Sequence, residues 1–196
     1  MPSNHTRRQF LAVSAAVCAV QSFSGARAST PPPLRTLTAK AGTAHLLGEG
    51  KPATNVWTFD GTAPGPILRL RQGEELAVTF ANQLPQASAI HWHGIRNDNR
   101  MDGVPGLTQA AVPTGGSFDY RFTPPDAGTF WYHPHEHSFE QVPRGLTGAL
   151  IVEEREPPRA DQDIVLMIND WRLDSGGQLV ENFGSRHDQA LSLIHI

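Results

Sequence analysis

Apolar and polar residues alternate in short runs along most of this chain, and turn residues separate the runs. Glu75–Asn82 sets Leu76, Val78 and Phe80 on one face, Phe118–Phe122 alternates aromatic and polar residues, and Ile67–Arg71 alternates apolar and basic ones. A period of two is the mark of a strand with one buried face. The same reading predicts strands over Thr36–Ala41, Thr43–Leu47, Asn55–Phe59, Ala89–His93, Thr129–His133 and Leu146–Glu153, with a Gly/Pro turn over 61–66. Helical periodicity is nearly absent, and the gaps are too short for helical crossovers. The fold class expected is therefore all-β, a sandwich or barrel of largely antiparallel strands with Greek-key links.

Composition shifts divide the chain. Residues 29–34 form a Pro-rich entry, and the strand-rich stretch runs over 34–155. Glu154–Asp161 is charged, contains Pro157-Pro158, and reads as a linker. Ile164–Ile168 is a continuous apolar run, predicted as the first strand of a second domain over 161–190, with a turn at Asp174-Ser175-Gly176-Gly177. About thirty residues cannot bury a core alone, so that domain is expected to be incomplete.

Both ends carry other signals. Thr6-Arg7-Arg8-Gln9-Phe10-Leu11 leads into the apolar stretch Leu11–Val20 and then Ala26-Arg27-Ala28, a small-x-small cleavage pattern. Residues 1–28 are expected to be a twin-arginine signal peptide, sending the protein to the periplasm or outside the cell. The apolar stretch is too short to cross a bilayer, which takes about 20 residues, and no membrane span is expected in the processed chain. Leu191–Ile196 is the translation of CTGTCTCTTATACACATC, which resembles a transposon end used in sequencing libraries. Residues 191–196 are expected to derive from such an adaptor, with natural sequence reaching about Ala190.

Processing after Ala28 removes three arginines and no acid, taking the net charge from −3 to −6. An acidic chain argues against nucleic acid as a partner. The single cysteine, Cys18, lies in the signal segment. The processed chain is left with no disulfide and no thiolate ligand.

The chemistry is concentrated in two His-x-His pairs, His91-Trp92-His93 and His133-Pro134-His135. On a strand, residues i and i+2 share a face, so each pair can aim two imidazoles at one point. Four convergent imidazoles suit copper or zinc. Trp92, Trp131 and Tyr132 are expected to be core packing. His137 continues the period of two but is not expected to be a ligand; with Glu136 it is placed on a solvent route. His45 and His187 are isolated.

His91-Trp92-His93-Gly94, Met101-Asp102-Gly103-Val104-Pro105-Gly106, Gly128-Thr129-Phe130-Trp131-Tyr132-His133-Pro134-His135 and Gly145-Leu146-Thr147-Gly148 resemble the first cupredoxin domain of a multicopper oxidase. Asp170-Trp171-Arg172-Leu173-Asp174 and Asn182-Phe183-Gly184 resemble the opening of that family's second domain. The resemblance implies a cupredoxin-like Greek-key β-sandwich. It implies that His91 is a ligand of the type 2 copper and that His93, His133 and His135 are ligands of the type 3 pair, in a trinuclear centre that reduces dioxygen to water. It implies that Asp102 helps deliver protons there; the plainer role for Asp102 is to cap the turn before Gly103. The reducing substrate stays open among phenols, amines and metal ions. The family's centre takes eight histidines, and the later His-x-x-His-x-His and His-Cys-His patterns are absent from these 196 residues. This chain supplies half of the ligands and, by itself, is expected to be inactive.

Two other chemistries fit part of the pattern. A zinc hydrolase also uses His-x-His, but the metallo-hydrolase His-x-His-x-Asp-His pattern is absent, and a cupin motif lacks its later histidine. A third reading is non-catalytic, a periplasmic structural or division protein that has lost its copper ligands, and the four retained histidines argue against it; a non-catalytic copper-binding cupredoxin protein stays open beside the oxidase.

Overall fold

A computed structural model describes residues 33–184. Eight strands follow in chain order: β1 (Arg35–Ala44), β2 (Thr54–Phe59), β3 (Leu68–Arg71), β4 (Leu76–Asn82), β5 (His91–His93), β6 (Ser117–Phe122), β7 (Gly128–His133) and β8 (Gly148–Glu153). A single 3-10 turn (Asn99–Met101) and one helical turn, α1 (Ser138–Gln141), interrupt them. The fold is all-β, as the alternation predicts.

The strands form two four-stranded sheets, ordered β2-β1-β4-β6 and β3-β8-β7-β5. Four pairings are antiparallel, whereas β1–β4 and β3–β8 are parallel. Parallel neighbours need a long return; here the return is made of other strands, β2 and β3 between β1 and β4, and not of a helix.

The predicted strand Thr36–Ala41 and the first two residues of the predicted Thr43–Leu47 are one continuous strand, and His45–Leu47 lie beyond its end, in the loop after it. Gly42 sits in the ladder opposite Val56, and a Cβ there would lie 2.8 Å from Thr58 Cγ2. Its glycine makes room for a neighbour rather than breaking the strand.

The core lies between the sheets. Leu37, Phe59, Val78, Phe80 and Tyr120 from one meet Leu68, Trp92, Tyr132, Leu150 and Val152 from the other. Phe59 and Tyr132 touch across the gap with ring centroids 5.2 Å apart, and Trp92 stands edge-on to Tyr120 at 5.4 Å. The Tyr132 hydroxyl donates to the Pro66 carbonyl at 2.7 Å, so its polar tip is satisfied inside the apolar layer.

The predicted strand Ile164–Ile168 has no ladder partner among the described residues. It is held at its ends, by Asp163 to Arg69 at 2.7 Å and by Asn169 to Thr147 at 2.9 Å. Val165 and Met167 are half-buried, while Ile164, Leu166 and Ile168 are 68%, 80% and 93% exposed. The turn after it forms as predicted: the Asp174 carboxylate accepts from the Gly176 and Gln178 amides, both at 2.8 Å. That turn docks on β2, where the Gln178 side chain accepts from the Asn55 amide and donates to the Ala53 carbonyl. The edge of β2 is thereby closed.

Phe59 is fully buried and bridges the sheets. Phe59→Ala is expected to cost about 3–5 kcal/mol, the usual range for emptying an aromatic site in a core, read from the shift in urea unfolding midpoint at constant slope.

Candidate metal centre

The site is built on the pairing of β5 with β7. In that register His91 stands opposite His133, Trp92 opposite Tyr132, and His93 opposite Trp131. Trp92 and Tyr132 are fully buried on the core face. Alternation therefore turns His91, His93, Trp131 and His133 to the other face, as a block two residues wide on each strand.

Nitrogen atoms of His91, His93 and His133 all lie within 4.8 Å of one another. His93 Nδ1 is 3.3 Å from His133 Nε2. His135 is placed differently from its partner in the pair. β7 ends at His133, because Pro134 has no N–H to continue the ladder. His135 is exposed on the following turn, its ring centroid 5.3 Å from His91 and 6.3 Å from His133. It borders the three-histidine cluster without being in it.

Two backbone carbonyls orient the rings. His91 Nδ1 donates to the Asp102 carbonyl at 2.7 Å, and His133 Nδ1 donates to the Pro134 carbonyl at 2.9 Å. Each bond selects the tautomer that leaves Nε2 with its lone pair, the arrangement expected behind a metal-binding histidine. Burial pushes the His133 imidazole down to about 3, against the opposing pull of the Pro134 carbonyl and with smaller pushes from His91, His93 and His135. His133 is consequently neutral at neutral pH, the form that binds metal. With His133 Nε2 unprotonated, the 3.3 Å contact to His93 Nδ1 is an N–H···N bond, and a metal held by this cluster would take these nitrogens as ligands. Three convergent imidazole nitrogens, two of them on rings oriented by carbonyls, are a donor set that fits copper or zinc.

Asp102 meets His91 twice. Besides its carbonyl, its carboxylate Oδ1 lies 3.5 Å from His91 Nδ1 and keeps 28% of its side-chain surface exposed. The approach depends on Gly103, which has φ +74° and packs directly on the Ile90 carbonyl, so any Cβ would collide with it.

His137 is exposed, in a left-handed conformation (φ 44°), with Glu136 Oε1 3.1 Å from its Nδ1. It is outside the three-histidine cluster. His45 is also exposed and apart. His187, the signal segment 1–28 and residues 191–196 lie outside the described residues. Trp131 departs from its expected place: it is half-buried on the histidine face, not in the core. The signal for this was present, since Trp131 is two residues before His133 on the same strand. The two orienting carbonyls, by contrast, leave no mark in side-chain identity.

The profile of the multicopper oxidase family matches residues 40–157. The chain belongs to the multicopper oxidase family. It is 35% identical over 170 residues to Copper resistance protein A of Pseudomonas syringae pv. tomato, covering 82% of this chain and 27% of that protein. To Multicopper oxidase MmcO of Mycobacterium tuberculosis it is 36% identical over 140 residues, covering 71% and 27%. Its fold is similar to the crystal structure of a multi-copper oxidase from Pseudomonas thermotolerans, with TM-score 0.74 and 42% identity over 81% of this chain and 38% of that one. A second crystal structure, of a protein from a marine microbial metagenome, gives TM-score 0.72 and 54% identity over 76% and 39%. The chain thus spans about a quarter of the length of these curated relatives. Multicopper oxidases are copper-dependent oxidoreductases, and the two-sheet fold is their cupredoxin-like domain.

Gly103→Ala is expected to push the Asp102 carbonyl away from His91 and to destabilise the fold by more than about 1 kcal/mol, because a positive-φ glycine in close backbone contact has no room for a methyl. Denaturant unfolding reads the stability. Nitrogen-15 imidazole shifts read whether His91 still carries its proton on Nδ1.

Proposed function

We propose that this chain is the amino-terminal part of an exported multicopper oxidase that couples one-electron oxidation of a substrate to reduction of dioxygen to water. His91 would hold the type 2 copper, and His93, His133 and His135 would hold the type 3 pair. The observation that carries this reading is the convergence of three imidazole nitrogens within 4.8 Å on one face of the β5–β7 pair, two of the rings held by backbone carbonyls, in a chain of this family.

Copper, when bound, supplies the one-electron steps between substrate and dioxygen. The chain's own residues do the rest. The Asp102 and Pro134 carbonyls hold the His91 and His133 rings with Nε2 outward. Asp102 places a carboxylate beside the site with access to water, suited to carrying protons inward. Among the described residues β5 is the edge strand of its sheet, which would leave that side of the histidine face for further ligands. Glu136 and His137 would line the solvent route. The reducing substrate is a phenol, an amine or a metal ion; nothing in this part of the protein selects among them. Export by the twin-arginine route is proposed from residues 1–28, and among the described residues no helix is long and apolar enough to cross a membrane.

Residues 161–190 are proposed to open a second cupredoxin domain. Support comes from the row Ile164, Leu166 and Ile168, an apolar face that stays exposed among the described residues.

A zinc hydrolase shares the three-imidazole donor set. Family membership favours copper, and a titration separates the two, since only copper gives visible and near-ultraviolet charge-transfer bands.

In the full-length copper-loaded protein, obtained by reading the source DNA across codon 190, His133→Ala is expected to abolish dioxygen consumption. A variant with full turnover would overturn the assignment. Leu166→Asp is expected to change the stability of the 196-residue chain by no more than about 0.5 kcal/mol, as at an ordinary surface position, but to cost about 2–5 kcal/mol in the longer protein. Equal effects in both would remove the second-domain reading.

A further inference from the structure

We infer that Trp131 is a positioning residue for the metal centre, holding the imidazole planes of His93 and His133 together; the inference rests on those histidines being ligands. Four side chains occupy the corners of the β5–β7 block, and three are imidazoles. The fourth is the Trp131 indole, directly across the ladder from His93 and two residues before His133 on the same strand. It stacks on the His133 ring with centroids 4.0 Å apart and planes 23° from parallel. It also faces the His93 ring at 4.9 Å and 32°. The His93 and His133 rings themselves are 5.5 Å apart and tilted by 41°. One indole is therefore a wall common to both rings, at the place where their nitrogens approach to 3.3 Å.

The need for such a wall follows from how imidazole binds metal. The lone pair lies in the ring plane, so rotation about the Cβ–Cγ bond swings it off target. A hydrogen bond at the far nitrogen stops that rotation for His91 and His133. His93 has its Nδ1 turned inward toward His133 and is exposed. The Trp131 face, tilted 32° from the His93 ring and 23° from the His133 ring, limits rotation of both without using a nitrogen. Trp131 is half-buried, and the core beneath is filled by Trp92 and Tyr132. Truncating Trp131 thus removes the wall without opening a cavity between the sheets.

The test compares Trp131→Ala, Trp131→Leu and Trp131→Phe in the full-length copper-loaded protein. Competition with a copper chelator gives affinity and copper released per chain, and melting of the metal-free protein gives stability. Trp131→Ala is expected to lower the affinity of the weakest-held coppers roughly 10–100-fold, the usual effect of losing a residue that orients ligands. Metal-free melting should stay near wild type. Trp131→Phe, which keeps a flat face, should recover most of the affinity, and Trp131→Leu, which fills space without one, should not. Wild-type copper affinity in Trp131→Ala would overturn the inference. If Trp131→Ala does not fold, the Leu and Phe variants decide, and equal affinity in those two overturns it. His133→Ala is the control for the reading beneath: if it too keeps wild-type affinity and stoichiometry, the ligand assignment fails, whatever Trp131 does.

Discussion

The register between β5 and β7 is the constraint on which the site depends. Trp92 and Tyr132 are paired across that ladder and sealed into the core, and their burial decides which face every neighbouring residue takes. A slip of one residue would bring the histidines into the apolar layer and the large aromatics into water, a change that the core cannot absorb. The convergence of His91, His93 and His133 is thus set by the hydrophobic effect acting on the residues between them. The histidines contribute little to holding themselves in place.

Around this ladder the finer aim comes from atoms that carry no chemistry of their own. The Asp102 and Pro134 carbonyls choose the tautomers, and Gly103 lets its turn lie against the strand that leads into His91. A buried polar link does similar work at longer range. Gln141 in α1, just past the second histidine pair, is bonded to Ser88 at 2.7 Å and to the Ala87 carbonyl at 2.8 Å, just before the first pair. A fully satisfied buried network of this kind is rigid, so the two segments that carry the histidines are tied together by more than one strand pairing.

The carboxy-terminal segment behaves as two pieces. Its turn at Asp174–Gly177 is docked on β2, and Arg144 lies over both the Trp57 and Phe183 rings, at 4.9 and 4.7 Å. The apolar run before it is extended, with one side against the sandwich and the other bare. Those residues have strand character but no ladder partner among the described residues.

The amino-acid sequence by itself determined the strands and the identity of the candidate ligands. Alternation in Leu76–Asn82 and Ser117–Phe122, and the two His-x-His spacings, depend only on the local geometry of an extended chain, so they can be read without knowing what packs against what. Tertiary structure alone decided the rest. Gly42 looks like a strand end and is the point where Thr58 crosses closely. Trp131 looks like core and lies on the histidine face, because which face is buried is a property of the pair of sheets. His135 looks equivalent to His133 and is displaced, because Pro134 ends the ladder between them. The carbonyls of Asp102 and Pro134 are found beside the rings through backbone paths, and every residue has the same carbonyl. Ile164–Ile168 is apolar enough for a strand, but a strand exists only where a neighbour supplies the hydrogen bonds.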